Sequence, residues 1–178
     1  MAGFRSVEAT LKERADLACV MLSVVSGTED LSGSVGRVIG YGLPMGPGCI
    51  EFGPSSMALW LAPRSWLLIC ALDEEHEFER RIHQAFPDKI VHSAVFSDAL
   101  CWLELSGRGS LRVLESGLNC LECGGFRLRH AKRTILAGVT TIVVHERENS
   151  WLLGVERSRA PYMAEWLIET ARRLESMT

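Results

Sequence analysis

The sequence predicts an α+β fold made of two duplicated βαββαβ-like halves, each an antiparallel sheet with its helices on one face. Three observations predict it. First, an apolar strand that ends in Ser-Gly and runs into an amphipathic helix occurs twice: Leu17–Gly27 followed by Leu31, Val35, Val38 and Ile39, and Leu100–Gly107 followed by Leu111, Val113, Leu114 and Leu118. Second, Ser65-Trp66-Leu67-Leu68 and Ser150-Trp151-Leu152-Leu153 each start a strand that feeds an amphipathic helix. Third, these two echoes are offset by nearly the same distance, as one plan used twice requires. The halves run over about 16–96 and 98–176 with no linker-like stretch between them, so the 178 residues read as a single domain.

Taken in order, residues 1–15 read as a leader that wraps another element or frays. Leu17–Val25 is the first strand, closed by Ser26-Gly27, with Asp30 placed to cap the helix from Leu31. Gly33 and Gly36 each cost that helix about 1 kcal/mol relative to Ala, so it should be short or tightly packed. Gly40–Pro54 is too rich in Gly and Pro for regular structure and reads as a long loop of the kind that contacts partners. A hairpin follows, Met57–Ala62 and Trp66–Leu72 about Pro63-Arg64-Ser65. Asp73 then serves as N-cap to a helix whose apolar face is Phe78, Ile82 and Phe86 and which stops before Pro87. Ile90–Phe96 closes the first half as a strand.

In the second half, Leu100–Leu105 is a mostly buried strand and Gly117–Arg129 is irregular around Gly124-Gly125. Thr134–Leu136, Val139–His145 and Trp151–Val155 follow as strands, separated by Ala137-Gly138 and by Glu148-Asn149. The last helix, Pro161–Leu174, has Pro161 at its first position, Ser158 near its cap, and Met163, Trp166, Leu167 and Ala171 on its apolar face. Trp66 and Trp151 occupy equivalent places and should pack between sheet and helix.

Composition narrows the function. A hydrophobic share of 47% and a charged share of 23% are globular values. A net charge of −3 provides no electrostatic case for nucleic-acid binding, which generally uses a basic face. The one basic run, Arg127, Arg129, His130, Lys132 and Arg133, lacks interleaved aromatics and reads as a solvated loop or a partner contact. No apolar run reaches eighteen residues, and the N-terminus has no secretory h-region, so neither membrane nor export is expected and cytoplasmic residence follows. Cys19, Cys70 and Cys101 lie in apolar strand patterns, as reduced cysteines do.

No reaction centre assembles. Cys120-Leu-Glu-Cys123 lacks a second ligand pair, since His130 and His145 do not have paired spacing, and it reads as a plain loop. His76 and His83 read as exposed helix residues; His92 and Asp98 flank a strand, and Ser97 lacks a G-x-S-x-G context. Gly46-Pro47-Gly48 and Gly107-Arg108-Gly109 lack the remaining residues of a phosphate-binding loop or dinucleotide fingerprint. The residues therefore assign no catalytic, cofactor-binding or metal-binding side chain and describe a subunit or binding module.

The order of several motifs resembles the gamma subunit of heterotetrameric sarcosine oxidase and related N-methyl amino acid dehydrogenases. The carrying residues are Pro63-Arg64-Ser65-Trp66-Leu67, Leu105-Ser106-Gly107 with Val113-Leu114 and Gly117, Thr134-Ile135-Leu136-Ala137-Gly138-Val139, and Arg157-Ser158-Arg159-Ala160 with Trp166-Leu167. The resemblance spans about Ala62 to Trp166 and is weaker before that. Two departures stand out: Arg108 where that family has proline, and Asn119-Cys120-Leu121-Glu122-Cys123 where it has Cys-Pro-Leu-Asp-Leu. The resemblance implies a fold similar to the folate-binding domain of aminomethyltransferase. It also implies a non-catalytic gamma-like subunit that packs on the large subunit of an oxidase or dehydrogenase of sarcosine or another secondary amine. FAD, FMN, NAD and tetrahydrofolate would then sit in alpha-, beta- and delta-like partners, with none on this chain. The alternative is a free-standing folate- or pterin-binding module of the aminomethyltransferase type, with Glu104 or Asp98 as the acidic group on the pterin. A small enzyme using Cys120 or Cys123 is the third reading.

Overall fold

The computed structural model describes residues 3–6, 8–25, 31–87, 91–118 and 127–177, and for 31 and 32 the backbone alone. The chain forms two compact units: a contiguous one, Ala15–Asp98, and a composite one, Met1–Arg14 with Ala99–Thr178. Phe4–Arg5 (β1) and Thr10–Glu13 (β2) open the composite unit. The contiguous unit then runs Leu17–Val24 (β3), Leu31–Ile39 (α1), Ile50–Phe52 (β4), Met57–Ala62 (β5), Ser65–Ala71 (β6), a 3-10 turn at Leu72–Glu74, Glu75–Ala85 (α2) and Val91–Val95 (β7). The composite unit resumes with Leu100–Ser106 (β8), Ser110–Glu115 (α3), His130–Leu136 (β9), Val139–Arg147 (β10), Ser150–Glu156 (β11), a 3-10 turn at Arg157–Arg159 and Ala160–Glu175 (α4). Its sheet has the order β1-β2-β8-β11-β10-β9, and the contiguous unit's has the order β4-β5-β6-β3-β7, with antiparallel pairing throughout.

The internal repeat extends to single hydrogen bonds. Ser23 pairs with Ser65 as Ser106 pairs with Ser150, so β3 corresponds to β8 and β6 to β11. Both hairpins between the equivalent strands turn over two residues, Pro63-Arg64 and Glu148-Asn149. In each the second residue is left-handed, Arg64 at φ 62 and Asn149 at φ 55, with a register shift just before the turn. The carbonyls of those two residues accept equivalent amides, Val24 N–H at 3.0 Å and Gly107 N–H at 2.9 Å. At the far end Leu72 N–H donates to Asp16 and Arg157 N–H to Ala99, both at 2.9 Å.

On the other side of the central strand the two units differ. The contiguous unit places β7, which follows α2, beside β3, with Phe96 N–H donating to the Cys19 carbonyl at 2.8 Å. In the composite unit the same slot beside β8 is filled by β2, and Arg14 N–H donates to the Trp102 carbonyl at 2.8 Å. The supposed leader is therefore an integral sheet strand. Its register partners are Leu105 for Leu11 and Ser106 for Thr10. It escaped reading as a strand because ATLKER shows only a single buried leucine between polar residues.

Each sheet carries helices on one face. In the contiguous unit Val35 and Ile39 of α1 and Phe78 and Ile82 of α2 cluster with Val20, Leu22, Trp66, Leu68 and Cys70. In the composite unit Val113 and Leu114 of α3 and Met163 and Leu167 of α4 cluster with Leu103, Leu105, Trp151, Leu153 and Val155. The two tryptophans lie between sheet and helices as expected. Residues of the opposite strand parity, Cys19, Leu67 and Ile69 in one sheet and Trp102, Val144 and Leu152 in the other, are buried too. The central strands consequently read as continuous apolar runs rather than alternating ones.

Several local readings are corrected. The segment read as a long loop contains β4, a three-residue strand paired with β5 and too short to show a period. Asp73 and Ser158 do not cap α2 and α4 with their side chains. In both units the strand enters a 3-10 turn first, and its i→i+3 bonds take up the early amides, as Ala160 N–H does on the Arg157 carbonyl. β9 begins at His130, four residues before the expected Thr134. The short α1 is tightly packed as expected, since a Cβ at Gly36 would lie 3.0 Å from the Tyr41 carbonyl oxygen. Ser26-Gly27, Asp30, Ile90 and the Cys120–Cys123 stretch lie outside the described residues. Among the described residues no helix is long and apolar enough to cross a membrane.

Candidate functional site

The Ser106-Gly107 turn is a structural joint, and by strand register its counterpart in the contiguous unit is Ser23-Val24, three residues before the Ser26-Gly27 that the sequence pairs with it. Gly107 sits at φ 115, and a Cβ there would fall 2.4 Å from the Glu8 carbonyl oxygen, so only glycine fits. Gly109 N–H donates to that same carbonyl at 2.9 Å. Ser110, fully buried, donates its hydroxyl to the Asn149 carbonyl at 3.3 Å and accepts Trp151 Nε1–H at 3.2 Å. The turn thus joins β8 to the N-terminal segment on one side and to the β10–β11 hairpin on the other. In the contiguous unit, Trp66 Nε1–H instead donates to the Pro44 carbonyl at 2.7 Å and holds the Gly-Pro segment down.

The side chains singled out for chemistry are placed as follows. Ser97 accepts Cys19 N–H at 2.8 Å and donates its hydroxyl to the buried carboxylate of Glu75, so it links β3 to the start of α2. A buried carboxylate needs such a donor, which accounts for the serine. His76, His83 and His92 are exposed. The Cys70 thiol is pushed up to about 12, first by burial and then by the carboxylates of Glu74 and Glu75, so it stays protonated and unreactive. Burial also pushes the Cys101 thiol up, assisted by the Glu13 carboxylate. Cys49 is exposed. Glu104 pairs with Arg14 at 3.1 Å, and Asp98 is exposed in the turn before β8. His130 and His145 are cross-strand partners in β9 and β10, and the His145 ring stacks on Trp151 with centroids 3.8 Å apart. Among the described residues no three His, Cys, Asp or Glu side chains converge in a way that could hold a metal ion.

What remains is surface. The basic run Arg127, Arg129, His130, Lys132 and Arg133 lies on and just before β9, the last strand of the six-stranded sheet. Leu128 is 55% exposed at its start and Ile135 is 47% exposed near its end, with Arg127, Arg129 and Arg133 exposed among them. The signal for the full strand was available. Ala137-Gly138 is a two-residue turn, with Ala137 at φ 49 and Gly138 at φ 81, and a strand over Val139–His145 needs a seven-residue partner ending at Leu136.

The comparisons with known proteins agree with this architecture. The model of the sarcosine oxidase, gamma subunit family matches residues 26–173. No curated protein matches the chain. Among solved structures, the heterotetrameric sarcosine oxidase from Corynebacterium sp. U-96, in complex with pyrrole 2-carboxylate, superimposes with a TM-score of 0.84 at 22% identity, covering 96% of this chain and 88% of that one. The glycine cleavage system aminomethyltransferase T from Bartonella henselae superimposes with a TM-score of 0.70 at 10% identity, covering 93% of this chain and 47% of that one. The regulatory subunit of aspartate kinase from Thermus thermophilus reaches 0.52 at 10% identity, covering 95% and 99%. At these identities the likenesses are of fold.

Proposed function

The chain belongs to the sarcosine oxidase gamma subunit family, and from that premise we propose that it is a non-catalytic, structural subunit of a multi-subunit flavin-dependent oxidase or dehydrogenase acting on sarcosine or another secondary amine. In this reading alpha-, beta- and delta-like partners carry FAD, FMN, NAD and tetrahydrofolate, this chain packs on the large subunit and holds none of them, and the assembly is cytoplasmic. The observation that carries the reading is how the reactive-looking groups are used. Ser97, Glu75 and Ser110 hold one element to another, and the Cys70 thiol is kept protonated. Cofactors supply the hard chemistry in such assemblies, while the surrounding protein supplies orientation.

Co-expression with the flavoprotein subunits of the same organism tests it. The chain is expected to copurify with the large subunit, to oxidise no sarcosine alone, and to raise the yield and thermal stability of the active complex. A well-behaved chain that never binds a flavoprotein would overturn the reading. The fold shared with aminomethyltransferase favours a second reading, a free-standing folate- or pterin-binding module. Saturable heat on titrating tetrahydrofolate into the isolated chain would establish it. The ion pair that already engages Glu104 supports the first reading over the second.

A further inference from the structure

The two sheets end differently at equivalent places. In the contiguous unit the outermost strand beyond the hairpin is β4, three residues long and carrying Glu51. In the composite unit it is β9, seven residues long, paired with β10 at every position from His130 to Leu136 without a bulge. Among the described residues no strand pairs with the other side of β9. The tight hairpin sets which groups face that side. A two-residue turn closes on a hydrogen-bonded pair, here Leu136 and Val139, so the ladder bonds to β10 fall at 136, 134, 132 and 130. The amides and carbonyls of Ala131, Arg133 and Ile135 therefore point away from β10; Ala131 is buried, whereas Arg133 and Ile135 are exposed and leave that stretch of the edge open.

Folded proteins usually guard such an edge by making it short, by proline, by a bulge or by charge, and of these β9 has only charge, Lys132 and Arg133, within its seven residues. That charge acts selectively. With Arg127 and Arg129 just before it, Lys132 and Arg133 within it and no acidic residue from 127 to 136, the edge repels a second copy of itself in a chain whose net charge is −3. An acidic strand meets the opposite sign, and Leu128 and Ile135 offer it an apolar contact at each end.

We propose that the open edge of β9 is the docking strand for an extended, acidic segment of a partner subunit, which adds to the six-stranded sheet as a seventh strand. The proposal rests on the subunit reading above and names the surface and the chemistry of its partner. Main-chain bonds from Arg133 and Ile135 supply affinity in this mode, and the flanking side chains select for an acidic strand with apolar ends.

The test is hydrogen–deuterium exchange on the full chain alone and in its co-expressed complex with the large flavoprotein subunit, read at residues 133 and 135. Protection of these amides by at least tenfold in the complex is expected. In parallel, Arg133→Glu combined with Ile135→Glu should weaken assembly at least tenfold and raise its salt tolerance, while Arg133→Lys assembles normally. The thermal midpoint of each isolated variant reports whether it folds, and the exchange measurement needs no variant. A complex that forms with these amides unprotected overturns edge docking and leaves the subunit reading intact, whereas failure to form any complex overturns both. An isolated chain that dimerises through β9 also overturns it, because the edge would then prefer its own copy.

Discussion

The contiguous and composite units share hairpin geometry, 3-10 entries to their second helices and the hydrogen bonds at both ends of the central strand, yet one completes its sheet with a strand downstream of the central strand and the other with a strand upstream of it. In the contiguous unit the strand beside β3 comes after α2, about seventy residues downstream of what it covers, as the pairing of Val20 with Val95 shows. In the composite unit the strand beside β8 comes from the N-terminus, about ninety residues away, as the pairing of Leu11 with Leu105 shows. The comparison teaches that the slot is specified by the sheet and not by the connection. A central strand such as β8 has a second row of backbone donors and acceptors that some strand must satisfy, and any segment of suitable pattern can take it.

The sharpest way to break the composite unit without touching the contiguous one is at its joint with the N-terminal segment. The residue equivalent to Gly107 is Val24, which donates the same hydrogen bond but carries a side chain. Gly107→Ala forces both a left-handed alanine and a Cβ contact with backbone at Glu8, and is expected to cost about 3–4 kcal/mol in denaturant unfolding. Val24→Ala should cost far less, and similar losses at the two sites would refute the asymmetry.

Next comes the N-terminal strand itself. Leu11 is buried in the composite core, so Leu11→Ala should lose about 2–3 kcal/mol, seen as a lower thermal midpoint. A variant of wild-type stability would restore the leader reading.

Alkaline pH acts on both units, since burial pushes up the Cys101 thiol of the composite unit as well as two groups of the contiguous one. Cys70 and Tyr41, both in the contiguous unit, have folded-state pKa values raised to about 12 from ordinary values of 9.0 and 10.0, each first by burial. A raised pKa means the folded state keeps its proton after the unfolded chain has lost it. The stability this represents is full below about pH 9 and drains away as pH rises toward 12. The thiol alone contributes a loss of about 1 kcal/mol by pH 10, and Cys70→Ala should flatten the decline measured by urea unfolding between pH 8 and 11.

The smallest effect is expected where the two units differ most visibly in chemistry. Arg14 and Glu104 form a half-buried ion pair, and the equivalent positions in the contiguous unit are Phe96 and Met21. Arg14→Ala should cost about 1 kcal/mol or less, with the loss shrinking at high salt. A larger or salt-independent loss would show that the arginine acts through packing.

Much of this fold was legible before any coordinates. The doubled strand–turn–helix, the Ser-Trp-Leu-Leu pairs and the hairpin signals identify the central strands and helices, because burial and periodicity act over short stretches. The elements missed were β1, β2 and β4, and the first four residues of β9, where strands are two to four residues long or polar, and where only a partner strand elsewhere in the chain makes them strands at all. The site divides in the same way. That Ser97 lacks the G-x-S-x-G context of an elbow nucleophile was readable in the sequence; that it is bound to Glu75 and Cys19 was not, since those residues lie 22 and 78 positions away.

By itself the sequence determined that this chain is a duplicated α+β scaffold and that its motifs run in the order seen in sarcosine oxidase gamma subunits, because local pattern and motif order are properties of the string. Only the tertiary structure decided that the N-terminal strand belongs to the far unit and that the basic run lies along an open sheet edge. Strand partnership is a long-range choice, made by which backbone groups remain unsatisfied once the local elements have formed.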